Sequence, residues 1–304
     1  MGTQASGTDV VVLSGKRTGF GAFGGSLARL SATELGIVSG RAALEASGVD
    51  GDAVDHVVYG NALQTASDAI YLARHVGLGV GLPQAVPAVT VNRLCGSGFQ
   101  AIVDGAQEIL LGDARVTLVG GTESMSQAPH VVRGARWGSL RLGPAGQHFE
   151  DLLWEALLDT QCDLTMAQTA EELADRYGVT REEADAVALR SQHRARDAWA
   201  EGRFASEVVP TVVKGRRGET EYVADEHMRP DATAEALAAL RPYFRKDGLV
   251  TAGNASGIGD GSASAVLASA QFAEAHGLHP LGRIVSWAFV GVEPRVMGIG
   301  PAPA

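Results

Sequence analysis

The chain has 304 residues, 45% of them hydrophobic and 20% charged, a globular composition with enough length for one large domain or two medium ones around a substantial core. Its 35 acidic against 25 basic residues give a formal charge of −10, so the average surface repels nucleic acid and anionic lipid, and an anionic ligand needs a local basic patch. Cys95 and Cys162 are the only cysteines, which excludes a disulfide framework and a Cys-rich metal centre and suits a reducing, cytoplasmic setting.

Met1 to Val10 carries no basic, apolar leader, and no apolar run approaches the roughly 20 residues of a spanning helix, so a soluble, non-membrane chain is expected. Short β-branched runs at Val10 to Leu13, Val57 to Tyr59, Ala88 to Val91 and Val116 to Val119 read as strands buried on both faces. Helical patterns alternate with them, which predicts an α/β sheet. Ser31-Ala32-Thr33-Glu34 is a capping-box pattern that opens a helix with Leu35, Val38 and Ala42 on one face, closed near Gly48. A second helix follows Cys95 and places Phe99, Ile102, Val103, Ala106, Ile109 and Leu110 on one stripe.

From about Ser124 to Gly248 the pattern turns irregular, with glycines, prolines, Trp137 and Trp154, before the charged helix Thr180 to Glu201 opened by Thr180-Arg181-Glu182-Glu183. Leu249 to Leu267 returns to small and β-branched residues, and Gly282 to Val292 reads as another buried strand. The expected divisions are an N-terminal α/β half at 1–124, an inserted loop domain at 125–255, a return to the first half at 256–280, and the start of a second half at 281–304, most of which is missing.

Cys95 stands where a predicted strand ends and Gly96-Ser97-Gly98 opens a helix. Backbone N–H groups and the positive end of the helix dipole favour a thiolate there, and the same amides can receive the oxyanion of an attacked thioester. A core cysteine acting as a small hydrophobe has no need of flanking glycines, whereas a nucleophile closely approached by a ligand does.

Asn92-Arg93-Leu94-Cys95-Gly96-Ser97-Gly98-Phe99-Gln100-Ala101-Ile102 resembles the nucleophile motif of the thiolase family, enzymes that make or cleave 3-ketoacyl-CoA. Lys16-Arg17-Thr18 with Phe20-Gly21, Gly120 to Ser126, Met166 to Glu171 and Thr251 to Gly257 resemble further family landmarks in the same order. The resemblance implies a layered αβαβα sandwich with an inserted loop domain covering coenzyme A, and an acyltransferase that passes acyl groups between CoA thioesters through an acyl-cysteine on Cys95. It also implies that CoA or acyl-CoA enters as substrate rather than as a tightly held cofactor, and that the chain forms a homodimer or homotetramer.

By the same resemblance Met166, Arg229, Phe244 and Ala252 fall on positions that line the CoA site. Ser256, Ile258 and Met297 do likewise. Arg229 also makes physical sense, since a guanidinium can meet a nucleotide phosphate or stack on adenine. Two departures bear on this. Some relatives carry a histidine where this chain has Thr165, and the family's Gly-His-Pro histidine motif, Asn-Glu-Ala-Phe loop and second Gly-flanked cysteine are not found in the sequence. His279-Pro280 imitates the histidine motif, but Leu278 precedes it and Arg283-Ile284-Val285 runs into a predicted strand, so it is read as coincidence. Cys162 lacks a Gly-rich flank and is read as incidental. The glycines from Gly253 to Gly261 lack the spacing of a dinucleotide loop and suit close backbone approach to the pantetheine arm instead. The alternative left open is a non-catalytic CoA-binding or interaction fragment.

Overall fold

Val10–Thr18 (β1) opens with the aliphatic run Val10 to Leu13, of which Val10, Val11 and Leu13 are buried, as in a strand covered on both faces. The computed structural model describes residues 9–138, 140–141, 146, 148–215 and 218–304. The leader region discussed above therefore lies almost wholly outside the described residues.

The chain forms two units, the first Met1–Gln127, Arg203–His227 and Ile258–Ser286, the second Ala128–Gly202, Met228–Gly257 and Trp287–Ala304. The first unit is built on a mixed sheet. Its other main strands are His56–Gly60 (β2), Ala88–Val91 (β3), Val116–Ser124 (β4) and Gly259–Ser269 (β5). The order runs Val208–Val209, β1, β5, β4, β2, β3. β5 is antiparallel to both β1 and β4, while β2 is parallel to β4 and β3.

Ala32–Ser47 (α1) and Leu72–Val80 (α2) cover one face of this sheet, burying Val57, Tyr59, Leu118 and Val266 among Ala43, Leu72 and Val76. Ser97–Leu111 (α3) covers the other, where Val58, Val119 and Leu267 meet Ala101, Ala106 and Ile109. Adjacent residues Val57 and Val58 thus point to opposite cores, and both are fully buried, so the sheet reads as a continuous apolar run.

The capping box at Ser31 and Glu34 is present, and α1 closes on Gly48 in the left-handed region at φ 71°. Its buried face differs from the expected one. Leu35 is buried, but the rest of the contact is made by Ala32, Gly36, Ser39, Gly40 and Ala43 rather than Val38 and Ala42. Close approach explains this: a Cβ at Gly40 would lie 2.7 Å from the Tyr59 hydroxyl, and the Ser39 hydroxyl bonds Ser262 and Ser264 of β5 at 2.7 Å each.

Three further expectations are corrected. β3 is a sheet edge with Val89 exposed, not a strand buried on both faces. On α3, Phe99 and Leu110 face solvent while Ala101, Val103, Gly105, Ala106 and Ile109 are buried, because small residues rather than the largest ones let the helix lie close to the sheet. Only Gly282–Arg283 of the stretch Gly282 to Val292 pairs as a strand, with β1, and Val285, Trp287, Phe289 and Val290 are exposed.

In the second unit Met166–Tyr177 (α4) and Arg181–Ala200 (α5) each begin with a complete capping box, on Thr165 with Gln168 and on Thr180 with Glu183. Glu171, almost fully buried on α4, accepts the amides of Leu249 and Val250 at 2.9 Å each and meets Arg245 at 3.2 Å. Among the described residues no helix is long and apolar enough to cross a membrane.

Candidate active site

The turn between β3 and α3 holds Cys95, and side chains on either side of it fix its shape. The Asn92 carboxamide accepts the Leu94 amide at 2.8 Å and donates to the Ala62 carbonyl at 3.1 Å. The Ser97 hydroxyl donates to the Leu94 carbonyl at 2.6 Å and accepts the Arg93 amide at 2.9 Å. Between these ties Leu94 adopts φ 49°, a left-handed conformation that a branched side chain takes only where its surroundings impose it. Cys95 follows at once and is exposed.

α3 starts two residues later with Gly96 as its N-cap and no acidic side chain in its first turn. The positive end of its dipole is therefore not offset locally. The amides of Gly98 and Phe99 have no acceptor within the helix. Two glycines bring this helix start against the sheet. A Cβ at Gly60, at the end of β2, would lie 2.5 Å from the Ser97 carbonyl carbon, and one at Gly121 of β4 would lie 3.3 Å from Gly98 Cα. An exposed thiol, a helix start and a backbone held in a strained turn together suit nucleophilic attack on a carbonyl and reception of the resulting oxyanion.

Glu123, inside the landmark Gly120 to Ser126, has a place in this site that the sequence did not reveal. Its carboxylate accepts the amides of Ala62 and, at 3.3 Å, Leu63. Burial pushes its carboxyl up to about 7, more than these two hydrogen bonds pull it down. That it is the only charged residue of β4 was the available signal.

The other sequence-derived residues fall as follows. Met166 and Met297 line one apolar pocket of the second unit with Leu173, Val179 and Leu249. Arg229 is exposed, its backbone amide donating to Gln192 at 2.7 Å. Phe244 is half-buried and packs edge to face on Tyr243, while Ala252 and Ser256 are exposed. Ile258 is half-buried in the first unit, where its carbonyl accepts the Phe23 amide at 3.1 Å. Thr165 serves the local structure, since its hydroxyl accepts the Gln168 amide at 3.3 Å as the cap of α4. Cys162 is half-buried in the turn before that cap, its Sγ 3.9 Å from the Asp159 carbonyl, and His279 is exposed just before Gly282–Arg283.

Residues 10–271 match the family model described as thiolase, N-terminal domain. The human mitochondrial 3-ketoacyl-CoA thiolase is 51% identical over 295 residues, covering 97% of this chain and 74% of the relative. The acetyl-CoA acetyltransferase of Pseudomonas aeruginosa is 49% identical over 300 residues, covering 97% and 75%. A crystal structure of human mitochondrial 3-ketoacyl-CoA thiolase in complex with CoA superposes with a TM-score of 0.93 at 49% identity, covering 99% of this chain and 75% of that one. The human and bovine relatives are mitochondrial by name, which overturns the cytoplasmic expectation; a pair of unpaired thiols argues for reducing conditions without saying which compartment supplies them. The mixed sheet with helices on both faces is the thiolase fold, and the chain belongs to the thiolase family.

Proposed function

We propose that the chain is a thiolase-type acyltransferase whose Cys95 thiolate takes the acyl group from an acyl-CoA. The observation that carries this is the exposed Cys95 at the start of α3, set by the left-handed Leu94 and the Asn92 and Ser97 ties. Sulfur attacks the thioester carbonyl, and the oxyanion of the tetrahedral intermediate meets amides at the helix start. Collapse breaks the original C–S bond, CoA leaves as its thiolate, and the acyl group stays on Cys95. Transfer of that group to the thiolate of CoA releases the Cys95 thiolate and completes thiolysis. Transfer to the α-carbon of a second acetyl-CoA, which forms a 3-ketoacyl-CoA, first breaks a C–H bond there, its proton going to a base that the family carries in motifs not found in this sequence. The two half-reactions give ping-pong kinetics.

Met166, Arg229, Phe244, Ala252, Ser256, Ile258 and Met297 are the CoA-binding residues on this reading. The second unit's chemistry fits such a ligand in two respects. The Met166 and Met297 pocket is apolar, as an acyl or pantetheine group requires, and the exposed Arg229, whose Nη1 donates to the Met228 carbonyl at 3.3 Å, brings a positive charge in a chain of formal charge −10.

We also propose that the protein is a homodimer or homotetramer. The support is β3, a sheet edge whose neighbourhood leaves Val89, Leu94 and Phe99 exposed, the kind of edge and apolar patch that proteins cover. Sedimentation of the purified chain reads this out, and a strictly monomeric species at all concentrations contradicts it. The catalytic proposal is tested by mixing the chain with acetyl-CoA or acetoacetyl-CoA and measuring free CoA. A rapid burst stoichiometric with the chain, lost in Cys95→Ala, is expected. Absence of a burst, with CoA still bound, favours the CoA-binding reading instead.

A further inference from the structure

Beneath the nucleophile turn lies a connected set of polar groups, all within the first unit, that the acyl-transfer chemistry does not use. Glu123, next to last in β4, accepts the amides of Ala62 and Leu63, in the turn that follows β2. The Ala62 carbonyl accepts from Asn92, 3.1 Å away. Asn92 in turn accepts the amide of Leu94 at 2.8 Å, and Leu94 holds φ 49° directly before Cys95. The same turn is tied to β4 a second time, since Asn61 donates to the Thr122 carbonyl at 2.9 Å. We propose that Glu123 is a positioning residue for Cys95, fixing the Ala62–Leu63 turn so that Asn92 can hold the Leu94 backbone that aims the thiol. This rests on the reading of Cys95 as the nucleophile.

The geometry asks for a carboxylate specifically. An ionised group accepts on both oxygens, and here each oxygen takes one backbone amide. A glutamine accepts on one oxygen only and turns an N–H toward the other amide. Protonation of Glu123 has a similar effect, because the O–H oxygen becomes a donor. Burial holds its carboxyl near neutrality, at about 7. The charged groups on the elements packed against it are engaged elsewhere: Asp260 of β5 accepts from the Ser126 amide at 2.9 Å and its hydroxyl at 2.5 Å, His56 of β2 lies 3.5 Å from Glu108 of α3, Asp104 of α3 accepts from Gln100, and Arg93 Nε donates to Gln100 at 2.5 Å.

The test reads the thiol directly rather than turnover. Iodoacetamide alkylation of Cys95 is followed by peptide mass spectrometry in wild type, Glu123→Gln, Asn92→Ala and the double variant, with Cys162 as internal control. Alkylation needs no acyl-CoA, so it succeeds or fails independently of acyl transfer. Each single variant is expected to slow Cys95 at least about fivefold, the net size of one ordinary hydrogen bond. Because both lie on one connection, the double variant should be no slower than the slower single. The ratio of wild-type to Asn92→Ala rates should rise as pH increases through about 7, where Glu123 ionises, and Cys162 should be unaffected throughout. Unchanged alkylation in folded Glu123→Gln, or multiplicative effects in the double variant, overturns the proposal. Should Glu123→Gln fail to fold, a flat pH ratio for Asn92→Ala overturns it equally.

Discussion

Replacing Gly60 by alanine probes how tightly the nucleophile turn is seated on the sheet. The new Cβ would lie 2.5 Å from the Ser97 carbonyl carbon and 2.6 Å from its oxygen and Cβ, against ordinary contact at 3.4 Å or more. The colliding atoms are mostly backbone at the first residue of α3, so no flexible side chain can yield. The helix start must withdraw by roughly 0.9 Å, a misfit of the kind that costs about 1–3 kcal/mol in a packed interior. Alanine also removes freedom from the unfolded chain, which returns about 0.4–1 kcal/mol. The net expectation is a loss of about 1–2 kcal/mol, seen as a melting midpoint lowered by about 2–8 °C for a unit of this size. Because the displaced atoms lie two residues from Cys95, acyl transfer should fall by more than stability does, towards the roughly 100-fold that an ångström of misplacement costs. Gly15→Ala is the control, since nothing lies within 4 Å of its Cβ; its midpoint should be unchanged or slightly raised. If Gly60→Ala melts with the wild type and acylates Cys95 at the wild-type rate, the turn is not held against the sheet in the way described.

Two further substitutions test the scaffold around this centre. Glu171→Ala strands the buried amides of Leu249 and Val250 and leaves Arg245 without one of its partners, so a loss of about 2–4 kcal/mol is expected, with hydrogen exchange at those two amides accelerating first. Asp55 accepts the amides of Arg115 and Val116 and the Arg115 guanidinium; although burial alone works against its charge, these partners hold its carboxyl below the usual range. A depressed folded value means its stabilisation is complete above about pH 4 and disappears as pH falls through that value. Asp55→Ala should therefore cost about 1–2 kcal/mol in urea titrations at about pH 7, with the share of the largely solvent-exposed Arg115 small, and the gap to wild type should narrow as pH falls below about 4.

What could be read from the sequence, and what could not, divides along physical lines. β-branched runs located β2, β3 and β4, and the capping boxes at Ser31 and Thr180 marked two helix starts, because both signals are local. The face a helix buries is not local. On α1 and α3 the residues that touch the sheet include Gly36, Gly40, Gly105 and Ala106, chosen for closeness of approach, while the large Phe99 remains outside. Cys95 was legible because glycines beside a cysteine at a strand-to-helix turn have a chemical reason. Glu123 was not, since its meaning depends on the amides of Ala62 and Leu63, about 60 positions away in sequence and brought alongside by the parallel pairing of β2 with β4. The CoA-binding set came from resemblance, and of its members Met166 and Met297 share a pocket.

The central claim is that Cys95 accepts the acyl group. Reacting the chain with isotopically labelled acetyl-CoA, quenching in acid and mapping the peptides measures this directly. The account predicts a hydroxylamine-labile acetyl group on the peptide containing Cys95 and none on that containing Cys162; labelled acetyl-CoA that leaves Cys95 unmodified, or that modifies Cys162 in its place, contradicts it.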